Sequence, residues 1–199
     1  MIKSDVIIYK GIETMRNILY ILLVSIAMSS HVYASEYDIF VGAEAGLSWA
    51  DFNGPNGKYQ NNEITTYGVK SGIVSHNTRL YLSYQYMDAY ADSTTRDGGY
   101  HTLTANTEAM TEPADIFGIV DLAFFVGGHA GVININVDAV FGQSDKYAFM
   151  YGVQAGLLAR FNSIVSLEAG YRFSYSNFSD QSTDLDKLQV AYGGINFKF

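Results

Sequence analysis

Ionisable and amide side chains recur at alternate positions of segments that are otherwise apolar. Glu44, Lys70, Arg79, Glu108, Gln154, Arg160, Glu168 and Arg172 form this set, with His129 and Lys198 at equivalent positions. Their neighbours are mostly apolar or small, as in Ala43-Glu44-Ala45, Leu167-Glu168-Ala169 and Tyr171-Arg172-Phe173. A period of two puts the charges on one face of an extended strand and the apolar residues on the other. Charges of both signs gathered on one enclosed face can do one of two things. They can pair into a closed polar plug, or they can line a gated path for ions. Leaving a charge unpaired in a narrow interior costs several kcal/mol, so the spacing predicts pairing, a lumen charge network. Glycines on the same face, including Gly42, Gly68, Gly72, Gly152 and Gly170, leave room for the long side chains.

Other chemistries find little support. There are no cysteines, which excludes disulfides, thiolate metal sites and a lipid anchor on an N-terminal cysteine. Gly127-Gly-His-Ala-Gly131 has no following helix to hold a phosphate, so it is not a nucleotide loop. A net charge of −8, with only 12 scattered Lys and Arg, excludes nucleic acid as a partner. No cofactor and no catalytic residue is expected. Asp184 and Asp186 form a weak carboxylate pair in an acidic stretch. Such loops are either a solvated, repulsive surface or a place where divalent cations bridge to lipopolysaccharide phosphates.

The elements that must position the charged set are strands. Charged residues make up 16% and aromatics 15%, with 19 Gly and 2 Pro, a composition that suits many strands and tight turns. Residues 1–34 read as a secretory signal peptide. Arg16 precedes an apolar run from Ile18 to Met28, and Val32-Tyr33-Ala34 supplies the small residues of a cleavage site. The run is too short to span a membrane as a helix, which takes about 20 residues. Met15 reads as the start, with 1–14 an upstream extension, and residues 35–199 form the mature domain.

From Tyr37 onward the alternation repeats. Strands are expected over about 37–49, 64–74, 79–86, 100–110, within 116–133, 151–161, 165–175 and 188–199. Loops are expected at 51–58, 88–99, 134–146 and 177–187. Eight strands of roughly ten residues fit a hydrocarbon band crossed at a tilt. The expected fold is all-β: an eight-stranded antiparallel up-and-down transmembrane β-barrel. A soluble barrel of the same size would hold its apolar residues inside. Counting from the turns puts Glu44, Lys70, Gln154 and Arg172 at mid-height, and Arg79, Glu108, Arg160, Glu168 and Lys198 lower. The terminal strand ends Ile195-Asn-Phe197-Lys-Phe199, with its apolar residues on the lipid side, and it must pair with the first strand for the barrel to close.

The alternating strands, the Val-x-Ala cleavage site and the terminal I-N-F-K-F together resemble the small outer-membrane barrels of the OmpA/OmpX type. The pieces that carry the likeness are F-V-G-A-E-A-G at Phe40–Gly46, Y-G-V-Q-A-G-L at Tyr151–Leu157 and L-E-A-G-Y-R-F at Leu167–Phe173. The resemblance implies a bacterial outer-membrane location, with outer-membrane lipid and lipopolysaccharide as surroundings. It also implies that Ile195, Phe197 and Phe199 form the signal read by the barrel-assembly machinery. It leaves function open between a structural barrel meeting an extracellular ligand through its loops, a narrow ion pore and a lipid-modifying enzyme. The full-length OmpA architecture adds a peptidoglycan-binding domain, for which this sequence leaves no residues. The lipid A deacylases carry His-x-Ser on one strand, and none of His76, His101 or His129 is followed by Ser at that spacing. A non-enzymatic protein is therefore expected.

Overall fold

The computed structural model describes residues 37–54, 57–90, 97–116, 118–139, 142–180 and 183–199. The signal-peptide reading of residues 1–34 lies outside them. The strands are β1 (Asp38–Gly54), β2 (Gly57–Ser75), β3 (Thr78–Tyr90), β4 (Asp97–Met110), β5 (Ala114–Ile116), β6 (Val120–Ala139), β7 (Gly142–Arg160), β8 (Val165–Asp180) and β9 (Thr183–Lys198). Eight long strands pair antiparallel with their neighbours, and β5 is a short arm folded onto the start of β6. Pairing of β4 with β6 and of β1 with β9 leaves no open edge, so the sheet is a closed up-and-down barrel.

Closure rests on the chain's two ends. The β1–β9 register runs from Phe40↔Lys198 to Asn53↔Asp184. One residue further on, the Phe199 amide donates to Ile39 O at 2.8 Å and the Ile39 amide donates back at 3.3 Å. The β2–β3 connection is the two residues His76-Asn77, with His76 at φ 45°, a left-handed conformation that a tight hairpin demands. Asn77 also ties this turn to the next one, since its carbonyl accepts the Met110 amide at 2.6 Å and its side chain donates to Glu112 at 2.8 Å.

The barrel is inside-out relative to a soluble protein. Outward Leu82 is 60% exposed and Phe124 62%, while inward Glu108 and Arg172 are each 1% exposed. Tyr67, Tyr147, Tyr151, Tyr171 and Tyr175 add an exposed aromatic belt toward the β6–β7 and β8–β9 hairpins, and Phe197 and Phe199 mark the opposite rim. Apolar residues with no protein neighbour on that side are stable against hydrocarbon.

Two expectations are corrected. Much of each segment read as a loop is strand: Asp51 pairs with Gln60, Gly54 with Gly57, and Ala139 with Gly142. Turn-forming residues such as Asn53-Gly54 signal a break, yet two residues are enough to reverse an antiparallel pair. The fifth expected strand begins within its window, at Val120, but runs on to Ala139, and Gly118 at φ 67° turns the short β5 arm before it back onto β6. With 20 residues, β6 climbs roughly 50 Å at a 40° tilt, about twice the apolar band of an outer membrane. The strands therefore rise well past the lipid.

Above the lipid the ladder divides. Among the described residues, β7–β8 pairing stops at Met150↔Ser176 and β2–β3 pairing at Thr65↔Asp88. Past those points two four-stranded sheets remain, β3-β4-β6-β7 and β8-β9-β1-β2. At and just below the division Met87, Met150, Leu188 and Val190 join Ile133, Ile64 and Leu185 from past it in one buried cluster. A closed polar plug is the expected lumen filling, yet the lumen also carries a buried apolar cluster among polar side chains such as Ser48, Thr66 and Thr102.

The belt yields a direct test. Leu82→Arg is expected to lower the unfolding free energy of the barrel in lipid vesicles by about 2–4 kcal/mol, the cost of a cation near the bilayer midplane. If Leu82 faced water the change would be near zero, so equilibrium denaturation of the two proteins in vesicles separates the cases.

Candidate functional site

Parity along the strands sends the charged set inward, and the barrel wall then brings its members within reach of one another. Glu44 Oε2 lies 3.4 Å from Lys70 Nζ, and Lys70 in turn donates to Glu168. Arg79 donates through Nη1 to Glu168 at 2.9 Å and through Nε to Glu108 at 2.6 Å. The Gln154 amide donates to Glu108 at 2.9 Å, and Arg172 Nε donates to Gln154 Oε1 at 2.8 Å. Arg172 Nη1 returns to Glu44 Oε1 at 3.3 Å. The contacts close on themselves as a ring across the lumen, drawn from β1, β2, β8, β3, β4 and β7.

The ring is balanced. Three carboxylates (Glu44, Glu108, Glu168) face three cations (Lys70, Arg79, Arg172), for a formal sum of zero, and every member is at most 5% exposed. Such burial is tolerated only when each charge is paired and its remaining hydrogen-bonding capacity is filled. Neutral groups fill part of that capacity. Tyr81 donates its hydroxyl to Glu108 at 2.6 Å, Asn196 donates to Glu168 at 3.0 Å, and Gln85 donates to Glu44. The flat faces of the guanidinium groups rest on aromatic rings, Arg172 at 4.9 Å from the Tyr192 centroid and Arg79 at 5.1 Å from that of Phe125.

Glycine makes the crossing possible at Gly194. It stands opposite Glu44 on one side and Glu168 on the other. A Cβ there would come within 2.9 Å of the Ala43 carbonyl and crowd both carboxylate stems.

Seven of the eight residues in the expected set thus meet. Arg160 does not: it sits at the rim, half-buried, with Nη2 at 3.7 Å from Met110 Sδ and no ion pair among the described residues. Lys198 is likewise apart, pairing with Asp38 at 2.8 Å on the exposed rim. The two heights expected for the set are also one level in practice. Lys70 and Glu168 came from different heights yet touch, because the strands are staggered around the barrel. Tyr81, Gln85, Asn196 and Tyr192 were not singled out as part of the site, although all four have inward parity, the one sequence signal that marks them.

A second polar layer lies on the ring. His129 Nε2 is 2.8 Å from Ser174 Oγ, and Asn106 donates to Ser83 Oγ at 3.0 Å and to Thr104 Oγ1 at 3.1 Å. The His-Ser pair is not a catalytic dyad in reach of substrate, since His129 is 5% and Ser174 1% exposed, inside the barrel. On the lipid side, Tyr84 and Tyr86 flank His101, with the Tyr84 hydroxyl 2.6 Å from Nδ1. Ile195, Phe197 and Phe199 all have outward parity, and Phe199 is the most exposed at 72%.

Breaking the ring on one side should cost more than removing a pair. Arg79→Met leaves Glu108 and Glu168 facing each other with less cation and is expected to lose about 3–5 kcal/mol of unfolding free energy. Adding Glu108→Gln should restore part of that loss, giving a coupling of at least about 1 kcal/mol in a double-mutant cycle read by denaturation in micelles. Strictly additive losses would mean the two side chains do not act together.

No protein-family model and no curated protein matches the sequence. Solved structures do. Neisserial surface protein A (NspA) is 18% identical, with a TM-score of 0.64 over 81% of this chain and 97% of the other. Outer membrane protein H (OprH) from P. aeruginosa, solved in DHPC micelles, is 24% identical, with a TM-score of 0.55 over 81% of this chain and 99% of the other. The fold is that of the small eight-stranded barrels of bacterial outer membranes, and the apolar belt suits this chain to the same membrane.

Proposed function

We propose that the chain is a closed, non-enzymatic barrel of the outer membrane that contributes to envelope integrity and presents a surface outside the cell. The observation that carries this reading is the double seal of the lumen. The neutral ring fills the membrane-level interior with mutually paired charges, and the apolar cluster of Met87, Ile133, Met150, Leu188 and Val190 lies above it. An ion crossing the barrel would have to break buried salt bridges and then shed its hydration in a dry layer. A structural role follows: the belt meets lipid and the acyl chains of lipopolysaccharide, the lumen holds the wall rigid, and the hairpins above the lipid meet whatever lies outside.

The signal peptide of residues 1–34 would deliver the chain across the inner membrane. Ile195, Phe197 and Phe199 would then be read by the barrel-assembly machinery as the terminal strand docks. The absence of enzymatic activity is supported by the placement of the histidines. His129 is enclosed, its Nδ1 has no carboxylate to orient it, and His101 is engaged by tyrosines on the lipid face.

Planar-bilayer recordings of the refolded chain are expected to show no reproducible unit conductance. A steady unit step would overturn the closed reading in favour of a narrow pore. Lipid A mass spectra from cells with and without the protein are expected to match, and a shifted acyl or phosphate mass would make it an enzyme.

A further inference from the structure

Among the described residues seven buried side-chain polar atoms make no hydrogen bond: Glu44 Oε2 and Arg79 Nη2 are ion-paired, Tyr192 Oη and Asn196 Oδ1 belong to the ring, and the other three lie around His129. Its Nδ1, Asn106 Oδ1 and Arg172 Nη2 are buried and make no hydrogen bond within the protein. Asn106 and His129 are direct cross-strand partners between β4 and β6. Going round the wall, His129 faces Gly152, and Gly152 faces Ser174, which is one inward position above Arg172 on β8. The side chains of all three residues are nine-tenths or more buried, at 1%, 5% and 1% exposure. Their other bonds are already fixed. The Asn106 amide nitrogen donates to the Ser83 and Thr104 hydroxyls, His129 Nε2 meets Ser174, and Arg172 uses Nε and Nη1 for Gln154 and Glu44.

Glycines surround the imidazole. On β6 the inward positions either side of His129 are Gly127 and Gly131, and across from it on β7 stands Gly152. A Cβ on Gly152 would come within 2.8 Å of His129 Cε1, so the imidazole lies over a residue with no side chain. Leaving these buried polar atoms unsatisfied would cost the desolvation of each.

We propose that this layer is a hydration site, in which ordered water is held between Asn106 Oδ1, His129 Nδ1 and Arg172 Nη2. The chemistry of the three atoms fits water and little else. The Asn106 carbonyl oxygen can only accept, and the Arg172 nitrogen can only donate. His129 Nδ1 accepts when Nε2–H donates to Ser174. Two acceptors and one donor match the two donors and the lone pairs of a water molecule, and buried water characteristically makes about three such bonds. The same arrangement holds His129 as a single neutral tautomer. It joins the neutral ring to the hydroxyl layer above it and ends beneath the dry cluster. The proposal concerns the interior of the closed barrel and stands whether or not the loops bind a partner.

The test is water-to-protein cross-relaxation measured by NMR on the full chain refolded in micelles, with histidine and asparagine side chains isotopically labelled. The expected result is long-lived water contacts at both the His129 ring and the Asn106 amide. Asn106→Leu should remove the contact at His129 and lower the unfolding equilibrium stability about tenfold, with His129→Phe giving a similar loss. The double variant should lose less than the product of the two, because either change alone already evicts the water. Absence of water contacts at both residues in the folded wild-type protein would overturn the proposal. So would an Asn106→Leu barrel that folds at least as stably as wild type. Should a variant fail to fold, the wild-type cross-relaxation alone decides.

Discussion

Every backbone amide and carbonyl that crosses a hydrocarbon layer must find its partner within the protein, and the rest of this structure depends on that requirement. A sheet satisfies it only by closing. Closure here falls to β1 and β9, whose register extends to the exchange of hydrogen bonds between Ile39 and Phe199. Once the wall is closed, strand parity has only two destinations, lipid or lumen. The assignment of one side to lipid commits the other to filling a narrow space. The composition of the lumen is therefore a consequence of closure rather than a separate design.

Filling that space with charge looks costly, since buried ion pairs seldom outweigh the desolvation of their members. What the ring supplies is mutual dependence. Each carboxylate touches at least two donors, and each cation touches at least two acceptors or an acceptor and an aromatic face. Contacts drawn from six strands fix the stagger of the barrel, because a slip of any strand by one residue would turn its charged member toward lipid. An apolar lumen of similar volume would hold the wall together without penalising such slips. The charges thus specify register where side chains on the lipid face, mostly apolar and similar, specify little.

The alternation was legible in the sequence wherever one face meets lipid. Ile39 to Trp49, Leu80 to Tyr86 and Val165 to Tyr175 all have the sidedness read from their spacing. Membership of the site was legible through parity for Glu44, Lys70, Glu108 and Arg172. Which members meet was not, because stagger between strands is a property of the closed wall. Lys70 and Glu168 are 98 positions apart in sequence, and nothing local brings them together. Arg160 has the right parity but lies at the rim, where the lumen ends. The upper strands were illegible for a different reason. Past the lipid the outward face is wet, so the pressure that makes a strand alternate is gone, and Asp, Asn and Gly there look like loop.

That change of surroundings also accounts for the change of lumen along the axis. At membrane level the wall is held by lipid outside and closed pairing around it, so its interior can be polar. Past Thr65↔Asp88 and Met150↔Ser176 neither support is complete: water lies outside, and two seams interrupt the ladder. Two free-standing four-stranded sheets in water need an apolar layer between them, as in any sandwich. Ile64 and Leu185 on one side and Ile133 on the other begin it, continuous with Met87, Met150, Leu188 and Val190 just below. The asparagine side chain of Asn177, accepting the Phe149 amide at 2.8 Å, substitutes for the missing backbone partner at one seam. The wall is therefore a closed barrel below and two separately paired sheets above. The apolar layer sits where the first arrangement gives way to the second, so it arises from the folding requirement of the upper part.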